Sequence, residues 1–309
     1  MAPVRAHHCP VLSEYWTAAR PSQWVKNLFV LAPLVFAQHL DRPREILLAL
    51  ATFALFCLLA SGIYLINDAI DAPRDRLHPV KKGRPIAAGR IGRAPAFAVG
   101  LTGVIVAVAV ALAVGPATSL VLGIYAVQNL LYSTLLKSVV LIDVIVIAIG
   151  FVLRAVSGAV AIDVPFSVWL LLCTFFVALL MGTAKRVAEL EHMGSATSDT
   201  RPTLVGAQPQ ALNSVLAAAA AATLVSYALY TVAPETIAKI GGKALILTMP
   251  FVVYGVIRYL QRVYGDSAAE NPTAIVLGDR GMQIALVGWG ATVLAIIYGL
   301  GGDLGGLLE

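Results

Sequence analysis

The feature that most constrains this chain is the recurrence of apolar runs about 20 residues long, the length a helix needs to cross the hydrocarbon core of a bilayer. Nine such segments can be read, at about 24–40, 46–66, 94–114, 117–136, 139–160, 166–185, 211–232, 243–262 and 282–300. The first is the weakest, being short and interrupted by Pro33. Of the 309 residues, 59% are hydrophobic and 13% are charged, against roughly 45–50% and 25% in soluble domains. The expectation is an all-α, polytopic membrane protein forming one domain over residues 1–309. The net charge of +5 then reads as a membrane protein's cytoplasmic surplus of cations, not as a surface for nucleic acid. Cys9, Cys57 and Cys173 have no metal or redox spacing, so neither zinc nor a disulfide is expected. Arg5, His7, His8 and Glu14 precede any apolar core, and a cleaved signal peptide is not expected.

Lysine and arginine orient the segments. If segment 46–66 ends in the cytoplasm, that side receives Arg5, Arg20, Lys26, Arg74, Arg76, Lys81, Lys82, Arg84, Arg90, Arg93, Lys137, Lys185, Arg186, Arg201, Arg258, Arg262 and Arg280. The other side receives Arg42, Arg44, Lys239 and Lys243, leaving Arg154 inside a segment. The bias predicts a cytoplasmic amino terminus and an external carboxyl terminus. Loops at about 67–93 and 186–210 then both face the cytoplasm, and the outer loops are short. Chemistry belongs to the inner face.

The densest charge lies between Tyr64 and Arg93. Asn67, Asp68, Asp71 and Asp75 close an apolar segment, and Arg74, Arg76, Lys81, Lys82, Arg84, Arg90 and Arg93 crowd behind them. The aspartates stand at i, i+3 and i+7, one face of a helix. Mg²⁺ takes one or two carboxylates and completes its octahedron with water and substrate phosphate oxygens, which this set matches. Pro73 removes a backbone donor and biases Ala72 away from helical geometry. It therefore predicts a break near Asp71, with Asp75 returning through a turn. The plainer alternative is a solvated helix end whose aspartates pair with neighbouring arginines.

The run Asn67-Asp68-Ala-Ile-Asp71-Ala-Pro-Arg-Asp75 resembles the first aspartate-rich motif of the UbiA superfamily of membrane transferases. Its extension through Arg76, His78, Lys81, Lys82, Arg84 and Gly89 resembles the decaprenyl-phosphate phosphoribosyltransferase branch. Arg20-Pro-Ser-Gln23-Trp24-Val-Lys26-Asn27, Tyr132 to Lys137, Asp143, Gly150 to Arg154, Gly182 to Leu190, Arg258 and Asp279-Arg280 fit as well, so the resemblance spans nearly the whole chain. It implies nine transmembrane helices around a central cavity open to the cytoplasm, in a bacterial inner membrane. It implies transfer of 5-phosphoribosyl from phosphoribosyl diphosphate to decaprenyl or a similar polyprenyl phosphate, with Mg²⁺ and release of pyrophosphate. The product would be a precursor for cell-wall arabinan.

On this resemblance Asn67, Asp68, Asp71 and Asp75 hold the metal, with the three aspartates catalytic. Lys26, Asn27, Arg76, Lys81, Arg84, Tyr132, Lys137, Asp143, Arg154, Lys185, Arg186 and Glu189 are the expected substrate-binding set. No nucleic acid is expected, and alanines and glycines on helix faces permit a homo-oligomer. One departure stands out. Prenyltransferases of the superfamily usually carry a second aspartate-rich motif after helix six, where this chain offers Glu189, Glu191 and Asp199 without such a cluster. That favours the phosphoribosyl branch over an isoprenyl transferase with an aromatic acceptor. A lipid-binding or transport protein is the non-enzymatic alternative, but a transport route should also mark the outer face with polar residues.

Arg154 needs its own account, because charge at membrane depth costs roughly 2.5–3.5 kcal/mol on insertion scales. It is either half of a buried pair with Asp143 or Glu189, or a phosphate contact at the cavity floor. Lys137, Lys185 and Arg186 can equally be read as ordinary positive-inside anchors.

Overall fold

The computed structural model describes residues 10–136, 141–192, 209–265 and 272–299. Every regular element among them is a helix. In order they are α1 (Pro10–Ala19), a 3₁₀ helix (Pro21–Leu31), α2 (Ala32–Phe36), α3 (Pro43–Asp75), a 3₁₀ turn (Lys81–Gly83), α4 (Arg93–Val114), α5 (Pro116–Thr134), α6 (Ile142–Ala161) and α7 (Val168–His192). Then come α8 (Pro209–Val232), α9 (Pro234–Ile240), a 3₁₀ helix (Ala244–Thr248) running into α10 (Met249–Gly265), α11 (Pro272–Gly278) and α12 (Arg280–Ile297). Proline opens α3, α5, α8, α9 and α11, the position where its missing N–H costs nothing and its fixed φ suits the first turn.

Among the described residues, seven helices are long and apolar enough to cross a membrane: α3, α4, α6, α7, α8, the Ala244–Gly265 stretch and α12. Two expected segments are not among them. The run at 24–40 folds as the 3₁₀ helix and the five-residue α2. The run at 117–136 forms α5, where Gln128 and Asn129 dilute the apolar surface.

The described residues group into two compact units. The first is built within 10–34, 42–134 and 153–163. Its axis is α3, whose 33 residues span about 50 Å at 1.5 Å per residue. The hydrocarbon core needs only about 30 Å of that, so the polar last turns extend past the apolar run as helix. α4 packs along α3 where Gly62 faces Gly100. A Cβ on Gly62 would lie 2.6 Å from the Gly100 carbonyl oxygen, and one on Gly100 would lie 2.7 Å from that of Gly62. Such contact is available only to glycine. Around it Phe56, Leu59, Ile63 and Ile66 pack on Val104, Ala107, Leu122 and Tyr125.

The expected break at Asp71 does not occur. α3 runs on through Pro73 to Asp75, so residues 67–75 are helix and the loop begins at Arg76. Pro73 cannot donate to the carbonyl of Ala69, four residues back. Arg93 supplies the missing donor: its Nε lies 3.1 Å from the Ala69 oxygen. A side chain from the start of the next helix thus satisfies the freed carbonyl, and the helix has no reason to end. Replacing Arg93 with methionine is expected to cost about 1.5–3 kcal/mol, the worth of a charged hydrogen bond. In a Pro73→Ala background, where residue 73 regains its N–H, the same change should cost far less. Thermal unfolding of the four proteins of this cycle measures the difference.

The second unit, within 35–41, 141–152 and 164–299, is organised by α7 and α8. Leu180, Ala184, Val187 and Ala188 meet Leu212, Leu216, Ala219 and Ala220, and Val256, Tyr259 and Val263 of α10 join them. Of the alanine run at 217–222, Ala219 and Ala220 are buried in this contact, while Ala217, Ala218 and Ala221 are exposed. Further along, Trp289 Nε1 donates to the Tyr227 hydroxyl (2.8 Å), which donates to Thr248 Oγ1 (2.6 Å), which donates to the Leu245 carbonyl (2.6 Å). A buried tyrosine and a half-buried tryptophan are thereby satisfied.

Candidate active site

The site is built on the last three turns of α3. Steps of about 100° per residue place Asn67, Asp71, Asp75 and Asp68 within about a quarter-turn of the helix circumference. The one-face arrangement read from spacing is therefore met, on a continuous helix. Asp68 and Asp75 are buried, each 4% exposed. Their charge is balanced by two arginines. Arg84 Nη1 lies 3.1 Å from Asp68 Oδ1 and 2.7 Å from Asp75 Oδ2, bridging carboxylates two helical turns apart. Arg20 Nη2 donates to the same Asp68 Oδ1.

Arg20 was not among the residues expected here. It sits between α1 and the 3₁₀ helix with φ 55° and ψ 61°, a left-handed conformation unfavourable for a side chain bearing a Cβ. The turn is held in place: Trp24 Nε1 donates to Ser61 Oγ (3.0 Å), and Ser61 Oγ donates to the Ala19 carbonyl (3.1 Å). The Arg20 guanidinium lies 4.9 Å from the centre of the Tyr64 ring, within cation–π range. The available signal was a buried carboxylate needing more than one cation, beside a cation locked ahead of Pro21.

The loop after α3 carries the remaining cations. Arg76 Nε donates to the Ala87 carbonyl (3.1 Å) and Arg90 Nη2 to that of Gly83 (2.9 Å), pinning the loop on itself. His78 Nδ1 accepts from the backbone N–H groups of Val80 and Lys81, so it shapes the turn that presents Lys81. Lys26, Lys81 and Tyr132 are half-buried.

A second buried cluster belongs to the same unit. Arg154 is 6% exposed. Its Nε donates to Asn27 Oδ1 (2.8 Å) and its Nη2 to the Tyr125 hydroxyl (2.6 Å). The guanidinium lies 4.8 Å from the centre of the Tyr125 ring, which itself packs edge-on to Phe56. Asn27 Nδ2 donates onward to Cys57 Sγ (3.3 Å). Tyr125 was also missed by sequence reading, although a hydroxyl midway along an apolar helix must find a polar partner.

In the second unit, Asp143, Lys185, Arg186 and Glu189 come together. Arg186, 6% exposed, is held by Asp143 from α6 and by Glu189 one turn on along α7. Lys185 Nζ stands 4.0 Å from Glu189. Arg186 is thus a buried, oriented cation and not an exposed anchor. Lys137 lies outside the described residues, as do Asp199 and the loop around it. Elsewhere in this unit Asp279 caps α12, accepting from the Met282 N–H, and takes Arg258 in a two-point contact. The Arg258 hydrogen bonds first, then that of the Met282 N–H, with Arg262 nearby, hold its carboxyl down at about 2. This ion pair closes the junction between α10 and α12 and persists throughout the neutral range.

Do the residues at the end of α3 fit a divalent cation? Among the described residues, no three acidic, histidine or cysteine side chains gather into a ready-made cage. Such a cage is what a structural zinc or calcium ion takes. Mg²⁺ asks for less, since waters and substrate phosphates complete its shell. Asn67 Oδ1 is shielded from solvent and has no hydrogen-bond partner among the described residues. It is a hard oxygen donor left unsatisfied on the face that carries the aspartates. The donor set fits magnesium held jointly with a phosphate ligand.

Comparison with known proteins gives the family of the chain. The model of the UbiA prenyltransferase family matches residues 27–287. The decaprenyl-phosphate phosphoribosyltransferase of Mycolicibacterium smegmatis is 33% identical over 91% of this chain and 91% of its own length. That of Corynebacterium glutamicum is 35% identical over 91% of this chain and 86% of its own. Among solved structures, a UbiA homolog from Archaeoglobus fulgidus bound to GPP and Mg²⁺ superposes with a TM-score of 0.68 and 19% identity, covering 92% of this chain and 99% of that one. At that identity the likeness speaks for the fold alone. With a match to the family model over residues 27–287 and, among the described residues, only helices, seven of them of membrane length, the chain belongs to the UbiA prenyltransferase family.

Proposed function

We propose that this chain transfers a 5-phosphoribosyl group from phosphoribosyl diphosphate to decaprenyl or a similar polyprenyl phosphate, releasing pyrophosphate. One observation carries the reading: relatives named for that activity match at 33–35% identity over 91% of the chain. The reading places the reaction on the cytoplasmic face of a bacterial inner membrane, for synthesis of a cell-wall arabinan precursor. It counts nine spans around a cavity open to the cytoplasm, taking α5 and the 21–36 segment as spans beside the seven.

Asn67, Asp68, Asp71 and Asp75 are the residues that would hold Mg²⁺. The bound ion would supply neutralising charge for the departing pyrophosphate. The remaining work is the protein's. Positive charge develops on the ribose as the bond to pyrophosphate lengthens. The acceptor is a lipid phosphate already ionised at neutral pH, so no side chain has to remove a proton from it. Two anionic substrates repel each other, and cations must bring them together. Lys26, Arg76, Lys81, Arg84, Lys137, Lys185 and Arg186 serve that end. Arg186 does so with its guanidinium fixed by Asp143 and Glu189. Asn27, Tyr132 and Arg154 complete the substrate contacts, Arg154 being preset by Asn27 and Tyr125.

Incubating the purified protein with Mg²⁺, phosphoribosyl diphosphate and decaprenyl phosphate should release pyrophosphate and form a phosphoribosylated lipid. Geranyl diphosphate with an aromatic acceptor should give no product. A protein that binds both substrates and releases no pyrophosphate would refute the proposal.

A further inference from the structure

We propose that Arg20 and Arg84 compete with the divalent cation for the aspartate oxygens, so that metal and diphosphate load the site together and neither binds tightly alone. The proposal rests on the reading of the α3 aspartates as metal-holding groups and adds how that site is filled. Arg84 Nη1 lies within hydrogen-bond distance of both Asp68 Oδ1 and Asp75 Oδ2, and Arg20 claims Asp68 Oδ1 as well. One oxygen of each of these two aspartates is therefore already committed to a guanidinium group. Both aspartate side chains are nearly buried, at 4% and 6% exposure, while the arginine side chains are 29% and 30% exposed. The carboxylates are fixed and the arginines have a way out to solvent.

Charge then sets the order of events. Asp68 and Asp75 are matched one for one by Arg20 and Arg84. A divalent ion arriving alone meets two guanidinium charges at close range in a partly desolvated site, where repulsion is poorly screened. A diphosphate reverses the balance, because its oxygens accept the planar forks that the arginines withdraw from the aspartates. The anchoring fits a side-chain swing. The Arg20 backbone is locked by the Trp24–Ser61–Ala19 chain of hydrogen bonds, and the loop bearing Arg84 is pinned by Arg76 and Arg90. Asn67 Oδ1, on the same face, has no hydrogen-bond partner among the described residues. The functional consequence is protection: the enzyme does not trap free metal in a form that blocks its donor.

Equilibrium dialysis of the full-length protein in detergent against Mn²⁺, at matched free metal and with or without inorganic pyrophosphate, tests this. Wild type should bind Mn²⁺ about 10-fold or more tightly with pyrophosphate, within the ordinary range of coupling between ligands. R84Q should bind Mn²⁺ alone about 5-fold more tightly than wild type, with the coupling reduced. R84K keeps the charge without the planar fork and should bind Mn²⁺ alone as weakly as wild type. R20Q should move in the same direction as R84Q, and carries the test where R84Q fails to fold. Mn²⁺ bound equally well without pyrophosphate, or bound more weakly by R84Q and R20Q, overturns the proposal while leaving the aspartates as metal-holding groups. Absence of Mn²⁺ binding under every condition overturns that reading and this one together.

Discussion

Replacing Asp68 with asparagine is expected to lower donor-dependent pyrophosphate release by about 10²–10³-fold or more, the scale of removing one group that stabilises charge developing in a transition state. Asparagine is the informative substitution because it keeps the shape and a carbonyl oxygen. Arg20 and Arg84 can still donate to it, and Arg84 retains Asp75. Both arginine side chains keep about 30% of their surface in solvent, so the change leaves no charge sealed in an apolar interior. The folded state should survive within about 1 kcal/mol, as judged by thermal unfolding in detergent. The two readouts separate two accounts of the aspartates. A helix end that merely pairs with arginines would lose a little stability and keep its turnover. A metal-holding face does the reverse. A variant retaining near-normal pyrophosphate release would restore the first account.

What could be read from the amino-acid order was what local physics dictates. Apolar runs of membrane length became helices, and three aspartates at i, i+3 and i+7 fell on one face because helical periodicity fixes it. The stretch 24–40 was apolar enough to suggest a span but folds as 3₁₀ and a short helix, with its backbone pressed against Gly158. Pro73 misled for a related reason. Its local penalty is real, yet Arg93, twenty positions on, supplies the donor that cancels it. Arg20 finds Asp68 across 48 positions, and Arg154 finds Asn27 across 127. No periodicity encodes such pairs. A rule of compensation could have anticipated that each exists: a buried charge in an apolar helix must be met by something polar. It could not say by which residue.

Gly158 is where packing and site meet, and Gly158→Ala is expected to be the most damaging single-methyl change in the first unit. A Cβ there would lie 1.9 Å from the Val30 carbonyl oxygen and 2.8 Å from the carbonyl carbon. These are backbone atoms that cannot turn aside as a side chain could, so the 3₁₀ helix or α6 must shift bodily. Overpacking usually costs 1–3 kcal/mol, and a clash this deep against backbone belongs at about 3 kcal/mol or above. The damage should also reach the chemistry. Val30 is one 3₁₀ turn from Asn27, and Gly158 is one α-helical turn from Arg154, so the same approach that only glycine permits also sets the 2.8 Å Asn27–Arg154 hydrogen bond. Gly123→Ala is the matched control, because nothing lies within 4 Å of a Cβ at that position in α5. It should be neutral or stabilising by up to about 1 kcal/mol, the helical preference of alanine over glycine. Thermal unfolding of the two variants in the same detergent, followed by pyrophosphate release from the surviving fraction, decides the matter. Equal behaviour of the two would mean that the contact at Val30 neither limits the packing of α6 nor sets the position of Arg154.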